Sequence, residues 1–187
     1  MNQRTRRRGF TLPEVLVTIA LLSLLAAVVI PSVVGQITSG ETSKVEQNLL
    51  AIRSGVEQFA SDVHRYPRDV GQLLRPLVTA DSDVFSITPY PTPLSSRWRG
   101  PYVHRDSVSL FLASGFGAGG TISNAFKIET TTAGIQYISV VVTGLRTEDK
   151  KRIDLDLDAT SDTANGMVRY RTESGKDSLV FRLIPIQ

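Results

Sequence analysis

FTLPEVLVTIALLSLLAAVVIPSVV, residues 10–34, carries a single charged side chain, Glu14, in an otherwise uncharged and mostly apolar run. A helix rises about 1.5 Å per residue and needs roughly 20 residues to cross the hydrocarbon core of a bilayer, so the run is long enough to span. Arg4, Arg6, Arg7 and Arg8 stand just before it, and no basic residue follows until Lys44. That asymmetry keeps the N-terminus in the cytoplasm and exports the rest of the chain. On charge and hydropathy alone, a secretory signal peptide or signal anchor fits as well as a retained helix.

Glu14 separates these readings. At a helix centre an ionised side chain costs roughly 2.5–3.5 kcal/mol, less near an interface, and secretory apolar regions avoid one. No Lys or Arg within the run can neutralise it. An α-amino group can, and it exists there only if the chain is cut between Gly9 and Phe10. Glu14 then lies four residues from a new N-terminus, where the helix dipole also favours negative charge. A neighbouring subunit shifted along a filament can offer its own amine to this carboxylate. The competing reading is a Glu that snorkels to the interface.

Arg6-Arg7-Arg8-Gly9 followed by Phe10-Thr11-Leu12-Pro13-Glu14-Val15-Leu16 resembles the class III signal of type IV pilins and type II secretion pseudopilins. The resemblance implies cleavage after Gly9 by a prepilin peptidase and N-methylation of the new N-terminal Phe10. It makes Glu14 the family's assembly glutamate and matches Pro31 to the family's mid-helix proline. It also implies an inner-membrane assembly platform, other pilin or pseudopilin subunits and the lipid bilayer as partners.

Beyond residue 34 the pattern turns amphipathic. Val45, Leu49, Ile52, Val56, Phe59 and Val63 recur at alternating spacings of four and three, one face of a helix. The residue before a proline leaves the helical region, so the helix should end near Tyr66-Pro67. Pro31, with Gly35 and Gly40 after it, predicts a kink or local melting, because proline removes a hydrogen bond and crowds the preceding turn. A coiled-coil seam is the alternative reading of the stripe, although it covers fewer than three heptads. The expected organisation is a cleaved basic leader (1–9), a transmembrane helix (10–34), its amphipathic continuation (35–66) and a globular domain (67–187). Within the last, 67–107 is loop-rich, with a short helical turn at 71–77, and 108–187 forms a sheet.

Strand-like runs fall at 108–112, 125–130, 136–143, 167–172 and 178–184, of which QYISVVVT (136–143) is richest in β-branched residues. Asn165-Gly166 is a turn signal. The fold class is therefore α+β, a long helix packed on a small, mainly antiparallel sheet in the pilin-like manner. Tyr66-Pro67, Gly71-Gln72-Leu73-Leu74 and Trp98-Arg99-Gly100-Pro101-Tyr102-Val103 resemble the segment after the long helix of the major pseudopilin. HRDSVSLFLASG (104–115) stands where that family has Asp-Pro-Trp-Gly, which leaves a minor pilin or pseudopilin equally open. Trp98 and Tyr102 read as packing groups.

Four of the 21 basic residues lie in the leader and one of the 18 acidic residues is Glu14, which leaves 17 of each sign beyond. That balance is no nucleic-acid footprint, although Arg97, Arg99 and Arg105 could form a small patch. The absence of cysteine excludes disulfides and thiolate metal sites. Asp154, Asp156 and Asp158 alternate, so on a strand they would share one face at about 6.6 Å intervals, too wide for several to reach one calcium. A loop of Asp158, Asp162 and Asn165 is the candidate calcium site, since some pseudopilins bind calcium near the C-terminus. The competing reading is a solvated acidic edge balanced by Lys150, Lys151 and Arg152. GFGAGG (115–120) matches a phosphate-loop pattern, but no helix pattern follows it. His64 and His104 lack metal-ligand spacing, and no catalytic constellation is present.

The leading expectation is a structural filament subunit, favoured in a type II secretion pseudopilus. The alternative is a type IV minor pilin in adhesion, motility or DNA uptake. An exported enzyme behind a twin-arginine leader is a third class, opposed by Glu14 and by the lack of a small-residue cleavage site.

Overall fold

The computed structural model describes residues 10–85, 90–104, 121–159, 166–173 and 176–186, and divides the chain into two compact units, residues 1–39 and 40–187. Helix α1, Leu12–Val63, contributes to both. The expected strand at 108–112, the glycine-rich run at 115–120, Arg105, Asp162 and Asn165 lie outside the described residues.

In the first unit the side chains of α1 are exposed on every side, from Leu12 at 74% to Val34 at 56%. The stretch Leu12–Gln36 is long and apolar enough to cross a membrane by length and composition. Its hydroxyls are satisfied within the helix: Thr18 Oγ1 donates to Val15 O and Ser23 Oγ to Ile19 O, each at 2.8 Å. Hydrocarbon offers no alternative acceptor, so this back-bonding is what such a span requires. Pro13 sits in the first turn, where its missing N–H would be unpaired in any case. The helix runs unbroken through Pro31, Gly35 and Gly40, so the expected local melting is absent here. A proline deletes one rung of the ladder, and the rungs above and below keep the turn helical.

In the second unit the six residues of the stripe, Val45 through Val63, are each no more than 1% exposed. The helix stops at Val63 because His64 takes a left-handed φ of 57° while its N–H donates to Ala60 O at 3.0 Å, an αL cap. The pre-proline bias at Tyr66 therefore acts just beyond the true end.

Strands β1 (Thr121–Ile122), β2 (Lys127–Thr130), β3 (Gln136–Thr143), β4 (Val168–Glu173) and β5 (Lys176–Pro185) form one antiparallel sheet. Its order is β1-β3-β5-β4, with β2 also paired to β3. Ile138, Val140 and Val142 of β3 and Leu179, Phe181 and Leu183 of β5 share one buried cluster with the α1 stripe. Alternation along the strands delivers those residues to a single face. Val141 and Val180, opposite one another in register, are buried on the other face.

A second helix, α2 (Thr92–Ser95), is a single turn, whereas α3, Thr147–Asp158, corrects the sequence reading. The run IDLDLD has period two and mimics a strand, yet it closes a helix with Glu148 and Asp149 in its first turn and Ala159 as a left-handed cap. Acidic residues at that end complement the helix dipole. The solvated acidic edge holds only in part: Asp156, Lys151 and Arg152 are exposed, whereas Asp154 and Lys150 are buried, at 0% and 3% exposed.

Candidate functional site at the N-terminal helix

Glu14 lies in the first turn of α1. The Thr11 N–H points to its Oε2 at 3.5 Å, and Glu14 N–H donates to Thr11 O at 3.1 Å. The carboxylate thus folds back over the N-terminal amides, which have no intrahelical partner and carry the positive end of the dipole. Phe10 is 83% exposed. Gly9 lies outside the described residues. Glu14 and Pro31 therefore occur on one helix whose apolar side chains are exposed from Leu12 to Val34, and Phe10 lies two residues before its start.

The loop-rich segment that follows α1 is organised by Gln72, a residue that composition and periodicity do not single out. A 3-10 turn, Val70–Leu73, places it at 1% exposure with Asp69 as the cap, whose Oδ1 accepts from Gln72 N–H at 3.1 Å. Gln72 Nε2 donates to Ser82 O at 3.0 Å. Its Oε1 accepts from Arg68 N–H at 2.9 Å and from Tyr90 OH at 3.3 Å, while its carbonyl accepts from Trp98 Nε1 at 2.9 Å. A buried amide is tolerated only when satisfied in this way. Nearby, Arg75 grips Asp81 with two bonds of 2.8 Å, and the Arg75 hydrogen bonds hold the Asp81 carboxyl below its ordinary range.

Trp98 and Tyr102 are packing groups, as expected. Their rings meet edge-on at 5.6 Å, Tyr102 meets Phe59 of α1 at 5.6 Å, and Tyr102 OH donates to Asp62 Oδ2 at 2.9 Å. Gly55 makes this approach feasible. A Cβ there would lie 2.5 Å from Val103 Cγ2 and 3.2 Å from Tyr102 O. Gly55→Ala is therefore expected to destabilise by about 1–3 kcal/mol through overpacking, measured as a fall in thermal midpoint. The helix-propensity gain of about 1 kcal/mol seen at an open helical site would reverse that sign, and a raised midpoint would show that the loop does not depend on this contact.

The aspartates of α3 have three separate tasks. Asp154 Oδ2 accepts from Tyr170 OH at 3.0 Å, and burial followed by this bond pushes the Tyr170 phenol up from its ordinary value. Asp156 Oδ2 lies 3.8 Å from Arg152 Nε. Asp158 Oδ2 accepts from Val168 N–H at 2.8 Å. Buried Lys150 pairs with Asp177. Among the described residues no group of three or more His, Asp or Glu side chains is placed to hold a metal ion.

Comparison with known proteins bears on the first part of the chain. The family described as the prokaryotic N-terminal methylation motif matches residues 4–30, a range that includes Gly9, Phe10 and Glu14. The chain is 38% identical over 77 residues to type II secretion system core protein G of Klebsiella pneumoniae, covering 41% of this chain and 54% of that one. It is 31% identical over 80 residues to the protein of the same name from Escherichia coli K12, covering 43% and 54%. With the Vibrio cholerae protein it shares 29% over 105 residues, covering 56% and 66%. The chain thus spans about half the length of the first curated relatives it matches. No solved structure matches it.

Proposed function

We propose that the chain, which bears the prokaryotic N-terminal methylation motif, belongs to the type IV pilin and pseudopilin family and is a structural subunit of a type II secretion pseudopilus. The observation that carries this reading is the lone carboxylate of Glu14 in an exposed apolar helix directly after an arginine-rich leader. Relatives named as secretion core proteins favour the secretion machine over a surface pilus.

In this reading a prepilin peptidase cuts between Gly9 and Phe10, and the new amine is methylated. Residues 12–36 hold the subunit in the inner membrane, with the sheet-bearing unit outside the cytoplasm. The assembly platform then draws subunits into a filament whose core is built from the apolar half of α1. Burying apolar side chains that are exposed in the lone subunit drives packing, while each Glu14 is neutralised by an amine of an adjacent subunit. The pair sets the axial register because an unpaired carboxylate in an apolar core is costly. The chain acts by assembling and carries out no catalysis itself.

Intact mass of membrane-extracted protein tests the processing step. The expected species begins at Phe10 and carries one added methyl. A mature protein that keeps residues 1–9, or that has lost the apolar helix, overturns the reading.

A further inference from the structure

Strand β4 ends the sheet order β1-β3-β5-β4, so one of its edges has no strand beside it among the described residues. One bond shows which backbone groups point that way. Arg182 N–H donates to Met167 O at 2.7 Å, which makes Met167 a hydrogen-bonded position facing β5, and antiparallel pairing alternates such positions. Arg169 and Arg171 therefore turn their amides and carbonyls to β5, while Val168, Tyr170 and Thr172 turn theirs outward. Two side chains agree with this assignment. Asp158 Oδ2 accepts from the outward Val168 N–H at 2.8 Å, and Ser178 Oγ of β5 donates to the Arg171 carbonyl at 2.6 Å. Among the described residues nothing bonds the outward backbone groups of Tyr170 and Thr172. Tyr170 is half-buried and Thr172 is exposed.

The side chains decide what fits there. Arg169 and Arg171 lie on one face of the strand. On that face Glu129 is shared by Arg169 at 3.4 Å and Arg182 at 2.9 Å, so a single carboxylate meets two guanidiniums, and Arg171 adds an exposed cation. A second copy of β4 laid antiparallel would set Arg169 opposite Arg171, or Arg171 opposite itself. Like charges directly opposite destabilise a strand pair, the usual protection of an edge against its own kind. The same charges favour an acidic chain. We propose that the outer edge of β4 takes up an extended segment of another polypeptide that carries acidic residues at alternate positions. Its backbone exchanges hydrogen bonds with Tyr170 and Thr172. Its carboxylates stand opposite Arg169 and Arg171, the non-hydrogen-bonded positions of the new pair, where facing side chains approach most closely.

Residue-resolved amide exchange of the full chain in zwitterionic detergent micelles tests this. The probe is a blocked peptide of alternating glutamate and threonine, about eight residues long, the length of an ordinary strand. At about 1 mM peptide, exchange at Tyr170 and Thr172 is expected to slow at least about threefold. The same peptide with lysine in place of glutamate should leave both amides unchanged, because its charges repel the arginines. A glutamate peptide whose threonine nitrogens are methylated should also fail, because it has lost the donors that bond β4. Arg171→Glu, at an exposed position, should remove the effect of the acidic peptide. No slowing with the acidic peptide, or equal slowing with either control peptide, overturns the proposal. Undiminished slowing in Arg171→Glu overturns the charge pairing on which it stands. Slowing that rises with protein concentration in the absence of peptide assigns the edge to a second copy and overturns the proposal equally.

Discussion

Phe59→Ala is expected to lower the unfolding free energy by about 3–5 kcal/mol, the largest loss from any single truncation in this core. Phe59 is fully buried and meets two rings edge-on, Tyr90 at 6.3 Å and Tyr102 at 5.6 Å. Truncation removes the transfer energy of the ring, leaves a cavity, and forfeits two aromatic contacts of about 0.5–1.5 kcal/mol each within that total. The cavity cannot close easily, since Tyr90 OH is fixed on Tyr66 O and Tyr102 OH on Asp62. Denaturant titration followed by the fluorescence of Trp98, the only tryptophan, measures the loss. Because Trp98 meets Tyr102 edge-on, it reports on this junction directly. A loss below about 1 kcal/mol would mean that α1 is not held to the loop through Phe59.

Glu14→Ala is expected to leave cleavage and methylation intact while reducing incorporation into filaments at least about tenfold, the equivalent of about 1.4 kcal/mol per subunit contact. The lone subunit loses nothing it needs. Its first turn keeps the Glu14-position N–H bonded to Thr11 O, and membrane insertion becomes easier without a charge. What disappears is the group that an arriving amine must meet. Glu14→Gln separates charge from shape, because it keeps the length and the hydrogen-bonding oxygen and should still assemble poorly. Quantifying the processed subunit in sheared filaments against the membrane fraction gives the ratio. Assembly of Glu14→Ala at the unaltered level would remove the register role.

Where physical signals were local, the sequence was readable. The 4-3 spacing of Val45 through Val63 named all six stripe residues, and the β-branched run at 136–143 is β3 to the residue. The 3-10 turn at 70–73 was likewise foreshadowed at 71–77. Signals depending on distant partners were hidden. Gln72 is one polar side chain in a loop, and its role appears only once Ser82, Tyr90 and Trp98 are brought to it. Gly55 resembles a helix weakness until the 102–103 backbone lies against it. In α3 the alternation of Ile153, Leu155 and Leu157 with aspartates imitated a strand, although only Ile153 of the three is fully buried. Charge pairs one turn apart, such as Arg146 with Asp149 at 2.7 Å, were the helical clue in that segment. At the N-terminal site, Glu14 draws attention because a charge in an apolar run is anomalous by itself.

The arrangement around Gln72 has a consequence for how the 67–104 segment comes apart. One residue fastens four separate points, Arg68, Ser82 and Tyr90 through its side-chain amide and Trp98 through its backbone carbonyl, so releasing any of them leaves a buried polar group short of a partner. A stretch with so little regular structure would ordinarily offer digestive enzymes a series of independent nicking points. Here opening is cooperative, and limited digestion within this span should yield intact chain or complete fragmentation of the segment, with few stable intermediates.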